Sequence, residues 1–173
     1  MEYTFTLKYR LADDDRDPDA VVERLGEHGC TDALVGIGVV GRLALDFTRE
    51  ADDARSAVLS ALGDVKAAIP TATLVEASPD FVGLTDVAEV MGVSRQYVRK
   101  LMLENGDFPL PVHEGKSALW HLSDVLNWLV ARKGYEPDPA LRDTAMATLE
   151  VNLAKETRRY GGIVPQDVER QIA

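Results

Sequence analysis

The stretch FVGLTDVAEVMGVSRQYVRKLM, residues 81 to 102, holds two short apolar-periodic runs separated by Gly92. Thr85 and Ser94 stand where a hydroxyl can accept an otherwise unpaired backbone amide at a helix start, which predicts two helices joined by a turn. Val87, Met91, Val93, Val98 and Leu101 supply a shared core, with small Ala88 where the helices touch. Ala88, Gly92 and Val98 have the spacing of a helix-turn-helix. At about 100° per residue, Ser94, Val98 and Leu101 point inward, while Arg95, Gln96, Arg99 and Lys100 point outward together and Tyr97 sits on the boundary.

That outer face carries the groups that major-groove reading needs. Guanidinium groups pair bidentately with guanine, a glutamine amide with adenine, and cations or a phenol with phosphate. The competing reading is a solvated basic helix face, and the preceding helix and turn favour the first.

Beyond it, ENGDFPLPVHEGKSALWHLSDVLNWLVARKG leads from Val112 and His113 through a Glu114-Gly115 turn to KSALW, a short hairpin. Ser123 is then expected to cap a helix carrying Val125, Leu126, Trp128 and Leu129. A hairpin beside such a helix pair is a wing. Residues 83 to 133 resemble the AlpA and excisionase-like branch of the MerR-type winged helix-turn-helix family. The resemblance rests on the helix pair ending in Val98 and Arg99, on Phe108-Pro109 with Pro111, on Trp120, and on Asp124-Val125 with Trp128. It implies double-stranded DNA as partner, the second helix in the major groove, and Lys116 and Ser117 of the wing at phosphate, with His113 a further candidate. Trp120 and Trp128 read as core. The expected DNA-binding set is therefore Ser94, Arg95, Gln96, Tyr97, Arg99, Lys100, His113, Lys116 and Ser117. The resemblance covers under a third of the chain and leaves both flanks to be read separately.

A formal charge of −10 and a pI near 4.7 argue against loose nucleic-acid binding over the whole surface. The acid is unevenly spread: residues 1 to 79 hold 8 Lys+Arg against 15 Asp+Glu, residues 80 to 135 hold 6 against 7, and residues 136 to 173 hold 5 against 7. The middle segment is close to neutral.

Before it, EYTFTLKYR alternates Tyr3, Phe5, Leu7 and Tyr9 with polar residues, the period of a strand with one buried face. Asp17 and Pro18 open a helix with Val21, Val22 and Leu25 that ends near Gly29. DALVGIG and GRLALDF form a hairpin, a second helix from about Asp53 to Ile69 carries Ala54, Val58, Leu62, Val65 and Ile69, and TATLVEA is a fourth strand. The order βαββαβ predicts an α+β chain whose first 79 residues form a ferredoxin-like sandwich. ASPD, residues 77 to 80, is read as the linker to the winged domain, residues 80 to 135.

Two motifs in the first domain fail their contexts. GIGVVG, residues 36 to 41, matches a dinucleotide fingerprint but is followed by a strand pattern where a helix is required. Asp13, Asp15 and Asp17 have calcium-loop spacing, yet Pro18 takes the glycine position and Arg24 the glutamate position. With one cysteine, Cys30, and histidines only at 28, 113 and 121, no disulfide or zinc pattern forms. No metal or cofactor is expected.

After Pro137 and Pro139, residues 136 to 173 form a helical tail. Leu141, Ala145, Leu149 and Leu153, with Met146 beside them, predict one amphipathic helix ended by Gly161-Gly162, with Pro165 opening a last short turn. Its stripe must bury on the chain itself or on a partner. The sequence thus predicts a cytoplasmic, non-enzymatic regulator of transcription that binds specific double-stranded DNA. It would be a homodimer and a repressor, with an antitoxin-like autoregulator as one form. The sandwich would supply dimer contacts, a small-effector site or a protein-partner site, the tail dimer contacts or a protein-partner site, and no membrane span is expected. The alternative is a protein-interaction adaptor whose helix-turn-helix no longer meets DNA.

Overall fold

The computed structural model describes residues 1 to 161 and 166 to 172. It is a mixed α+β molecule with a four-stranded antiparallel sheet and, among the described residues, seven helices. The expected turn at Gly162 and Pro165 lies outside the described residues.

Strand β1 (Glu2–Arg10) pairs along its whole length with β3 (Arg42–Glu50), from Glu2 opposite Glu50 to Arg10 opposite Arg42. β2 (Ala33–Gly36) lies outside β3 and β4 (Thr73–Ser78) outside β1, which gives the order β2-β3-β1-β4. Helix α1 (Pro18–Glu27) follows β1, with Asp17 accepting the Asp19 amide at its start; α2 (Ala54–Ala68) follows β3, with Asp53 accepting the Ser56 amide at 2.7 Å. Because strand side chains alternate, Tyr3, Phe5, Leu7, Tyr9, Leu43, Leu45 and Phe47 all face one side. There they share a core with Val21 and Leu25 of α1 and Val58 and Val65 of α2. Thr4, Lys8, Asp46 and Thr48 face the other side and are exposed. GIGVVG forms the β2-β3 connection, where Gly41 adopts φ +74° and the Arg42 amide reaches the Val39 carbonyl, a hairpin rather than a phosphate loop. Val22, expected on the α1 stripe, is exposed.

The β3 alternation continues one step past Phe47 to a buried arginine. Arg49 donates to both carboxylate oxygens of Asp32 at 2.7 and 3.0 Å, to Asp64 at 2.7 Å, to Ser60 at 3.0 Å and to the Gly29 carbonyl at 3.2 Å. These bonds hold the Asp32 carboxyl below the usual carboxylate range. Cys30 lies buried beside this cluster, and burial pushes its thiol up to about 11. Of the calcium-like aspartates, Asp15 accepts from Thr71 and Arg24, Asp17 caps α1 and Asp13 pairs with Arg16; no metal-holding group of three acidic, histidine or cysteine side chains occurs among the described residues.

ASPD is a buried joint rather than an open linker. Ala77 and Asp80 are both fully buried. From there β5 (Phe81–Val82) leads into α3 (Leu84–Met91) and α4 (Arg95–Glu104), and β6 (Trp120–His121) returns to pair with β5 before α5 (Leu122–Lys133). Val82, Val87, Ala88, Val98, Leu101, Phe108, Trp120, Val125, Leu126 and Trp128 make a second core.

Helix α6 (Pro139–Tyr160) ties the two cores together, with Ala145 in the second and Ala147 in the first. A short α7 (Gln166–Ile172) follows. The buried face of α6 departs from the expected stripe of Leu141, Ala145, Leu149 and Leu153, of which Ala145 is buried and Leu141 and Leu149 are partly buried. It consists of Thr144, Ala145, Ala147, Thr148 and Asn152, while Leu153 and Met146 are exposed. The reason is hydrogen bonding. The Asn152 amide accepts from the Ala77 N–H at 3.0 Å and donates to the Ala77 carbonyl and the Asp80 carboxylate, each at 2.7 Å; the Thr148 hydroxyl donates to the Pro79 carbonyl at 2.6 Å. His121 Nδ1 completes the joint, 2.6 Å from Asp80. No described helix is long and apolar enough to cross a membrane.

Candidate nucleic-acid interface

The α3-α4 turn is built by two residues. Gly92 adopts φ +65°, φ/ψ space that a side chain penalises, and so ends α3; the Val93 amide bonds back to the Ala88 carbonyl at 2.9 Å. Ser94 then accepts the Tyr97 amide at 3.2 Å and starts α4. The first helix begins differently from the sequence expectation. Its cap is Gly83, whose amide donates to the Asp86 carboxylate at 2.7 Å, and Thr85 lies inside the first turn. The hydroxyl rule selected Thr85, but the helix starts two residues earlier, where Asp86, the third helical residue, accepts the amide of the cap residue Gly83.

On α4, Val98 and Leu101 are buried, whereas Arg95, Gln96, Arg99 and Lys100 are exposed and Tyr97 is 47% exposed. Ser94 is itself exposed and serves as the cap rather than as packing, and Val93 is 37% exposed instead of joining the core. Lys100 lies 3.8 Å from Glu104; Arg95 and Arg99 make no ion pair among the described residues.

The segment after α4 is pinned by aromatic packing. Phe108 meets Trp120 and Trp128 edge-on, at centroid distances of 6.0 and 5.0 Å, and Trp120 Nε1 donates to the Pro109 carbonyl at 3.0 Å. Both tryptophans are core, as expected. The hairpin that follows is minimal. Its only bridge among the described residues joins His113 to Leu119, and the Trp120 end of KSALW pairs with β5 instead of extending it. That pairing also moves the start of α5. Its cap position is His121, and Ser123, expected as the cap, is buried inside the first turn with its hydroxyl near the Met146 sulfur.

Helix α4 and the hairpin enclose a cleft of about 730 Å³. Arg95 and Arg99 line it from the helix, Lys116 and Ser117 from the hairpin. Gln96, Tyr97 and Lys100 lie outside the cleft on the exposed helix surface, and His113 sits at the hairpin bridge. Sequence reasoning missed Thr85, Asp86, Asn105 and Glu114, which line the same cleft. Asp86 was signalled by its spacing from Gly83, whereas Asn105, whose amide donates to the Leu101 carbonyl at 2.7 Å, gave no signal beyond ending a helix. The arrangement offers three cations and two carboxylates around a concavity, next to an exposed amide and phenol. Such a surface can pair with phosphate oxygens and with the acceptor edge of a base.

Comparison of the chain with protein-family models, with curated proteins and with solved structures returns no match.

Proposed function

We propose that residues 80 to 135 are a winged helix-turn-helix that reads double-stranded DNA, and that the chain is a sequence-specific regulator of transcription acting as a repressor. The observation that carries this reading is the convergence of Arg95 and Arg99 with Lys116 and Ser117 on one cleft, although the pairs lie far apart in sequence. Neither arginine has an acidic partner among the described residues. An arginine free of internal partners presents its whole donor fork to a ligand. In this reading α4 enters the major groove, Gln96 and Tyr97 add contacts beside the arginines, and the hairpin lies at the backbone. The strand order β2-β3-β1-β4 and the βαββαβ sequence of elements support a ferredoxin-like sandwich for residues 1 to 79. A homodimer would place two α4 helices on paired half-sites.

The test is a mobility-shift titration against the DNA upstream of the protein's own coding region, at several salt concentrations. Specific binding that weakens as salt rises is expected, because phosphate contacts release counterions. Binding that ignores salt and sequence would refute it. Asp86 and Glu114 in the same cleft favour a second reading, an adaptor that binds a basic protein segment there. The adaptor predicts no shift of any duplex and retention on the partner when Arg95 and Arg99 are replaced.

A further inference from the structure

A second cleft, of about 930 Å³, opens at the far end of the sheet unit, between the end of α2, the start of β4 and the last turns of α6. Its cations are Arg10 of β1, Arg42 of β3, Lys66 of α2, and Lys155, Arg158 and Arg159 of α6. Among the described residues lining it, none is acidic. In a chain of net charge −10 this is a marked segregation. Lys155 is engaged by the Val75 carbonyl at 2.7 Å and by Glu156 at 2.9 Å, whereas Arg10, Arg42, Lys66, Arg158 and Arg159 make no ion pair among the described residues. The floor is apolar, with Val65 and Ile69 buried and Leu62 and Leu74 partly so.

Helix ends account for part of this charge. Lys66 and Arg158 to Arg159 lie in last turns, where the helix dipole favours cations. Arg10 and Arg42 have no such reason. They stand directly opposite each other in the β1-β3 register, and like charges so placed destabilise a sheet unless something neutralises them.

We propose that this cleft binds a small organic anion, with phosphate or carboxylate groups held by Arg10, Arg42, Lys66 and Arg158 and an apolar body against the partly exposed Leu62 and Leu74. Guanidinium forks match both oxyanions, so the chemistry is shared between the two groups. The proposal stands independently of DNA reading by α4.

The experiment is isothermal titration of the full chain with AMP, inorganic pyrophosphate and citrate, each compared with sodium chloride at equal ionic strength. Saturable one-to-one binding is expected for at least one probe, with affinity lowered about ten-fold or more in Arg42→Gln and in Lys66→Gln. The Arg95→Ala, Arg99→Ala variant should bind the same probe as the parent, which separates this site from the α4 face. A preference for AMP and pyrophosphate over citrate assigns phosphate, and the reverse assigns carboxylate. Without ligand, Arg42→Gln should melt no lower than the parent, since it removes a repulsion. The proposal is overturned if no probe saturates at millimolar concentration, or if both cleft variants bind like the parent. Loss of duplex-DNA affinity in the cleft variants, with no small-anion binding by the parent, would overturn it too and make the cleft a phosphate track for DNA.

Discussion

In the sheet unit Arg49 is 9% exposed and commits its N–H groups to Asp32, Asp64, Ser60 and the Gly29 carbonyl. On α4, Arg95 and Arg99 are exposed and have no ion-pair partner among the described residues. The same residue type is structure in one region and an open donor set in the other. The difference lies in the surroundings, because the sheet unit brings two aspartates within ion-pair distance of its arginine, while Asp86 and Glu114 line the α4 cleft without pairing with Arg95 or Arg99 among the described residues. Net charge hides this, since the acidic total is largely the sheet unit's own.

Variants sharpen the contrast. Replacing Arg95 and Arg99 together by alanine should cost about 2 kcal/mol of binding per arginine, roughly a thousand-fold loss of specific DNA affinity, while urea unfolding stays within about 0.5 kcal/mol of the parent. Arg49→Ala should do the opposite. It strands Asp32 and Asp64, so unfolding free energy should fall by about 3 kcal/mol in urea titrations, with DNA affinity per folded molecule unchanged. Asn152→Ala removes three hydrogen bonds at the joint between the two cores and should cost about 2 kcal/mol by the same measurement. The smallest effect is expected for Gly92→Ala, about 1 kcal/mol, because nothing crowds the site and only its positive φ is penalised.

Acid sharpens the comparison further. The folded Asp32 carboxyl lies below its ordinary range because of Arg49, so between the folded and unfolded values the unfolded chain holds more protons. The contribution of Asp32 is therefore complete above the ordinary carboxylate range and is lost as pH falls through the folded value. Stability measured against pH should drop on the acid side in the parent and less steeply in Arg49→Ala.

What the sequence made legible follows from periodicity. β1 and the β2-β3 hairpin were readable because alternating residues bury on one face, and α4 because Ser94 and Gly92 are specific local signals. The face of α6 was readable only in part, at Ala145 and Leu141. An apolar stripe selects Leu141, Ala145, Leu149 and Leu153, but the helix docks on backbone polar groups at Ala77 and Pro79, which demand Thr148 and Asn152. A pattern of hydrophobicity cannot announce a hydrogen-bonded contact between residues 75 positions apart. Thr85 and Ser123 were misplaced as caps for a related reason. Asp86 took over the first role, and the β5-β6 pairing set where α5 starts. At the candidate interface, the α4 face and the hairpin were each readable, whereas the entry of Asp86 and Glu114 into their common cleft depends on how the hairpin folds back.

The clasp of Asn152 on Ala77 has one more consequence. β4 is a border strand, and its outward N–H and C=O would otherwise be a template for another chain's strand. Asn152 occupies both groups of Ala77, and Lys155 takes the carbonyl of Val75 two residues away on the same border. With side chains alone, α6 imitates at Ala77 and Val75 the neighbouring strand the sheet lacks, so the helix that joins the two cores also occupies that border of the sheet.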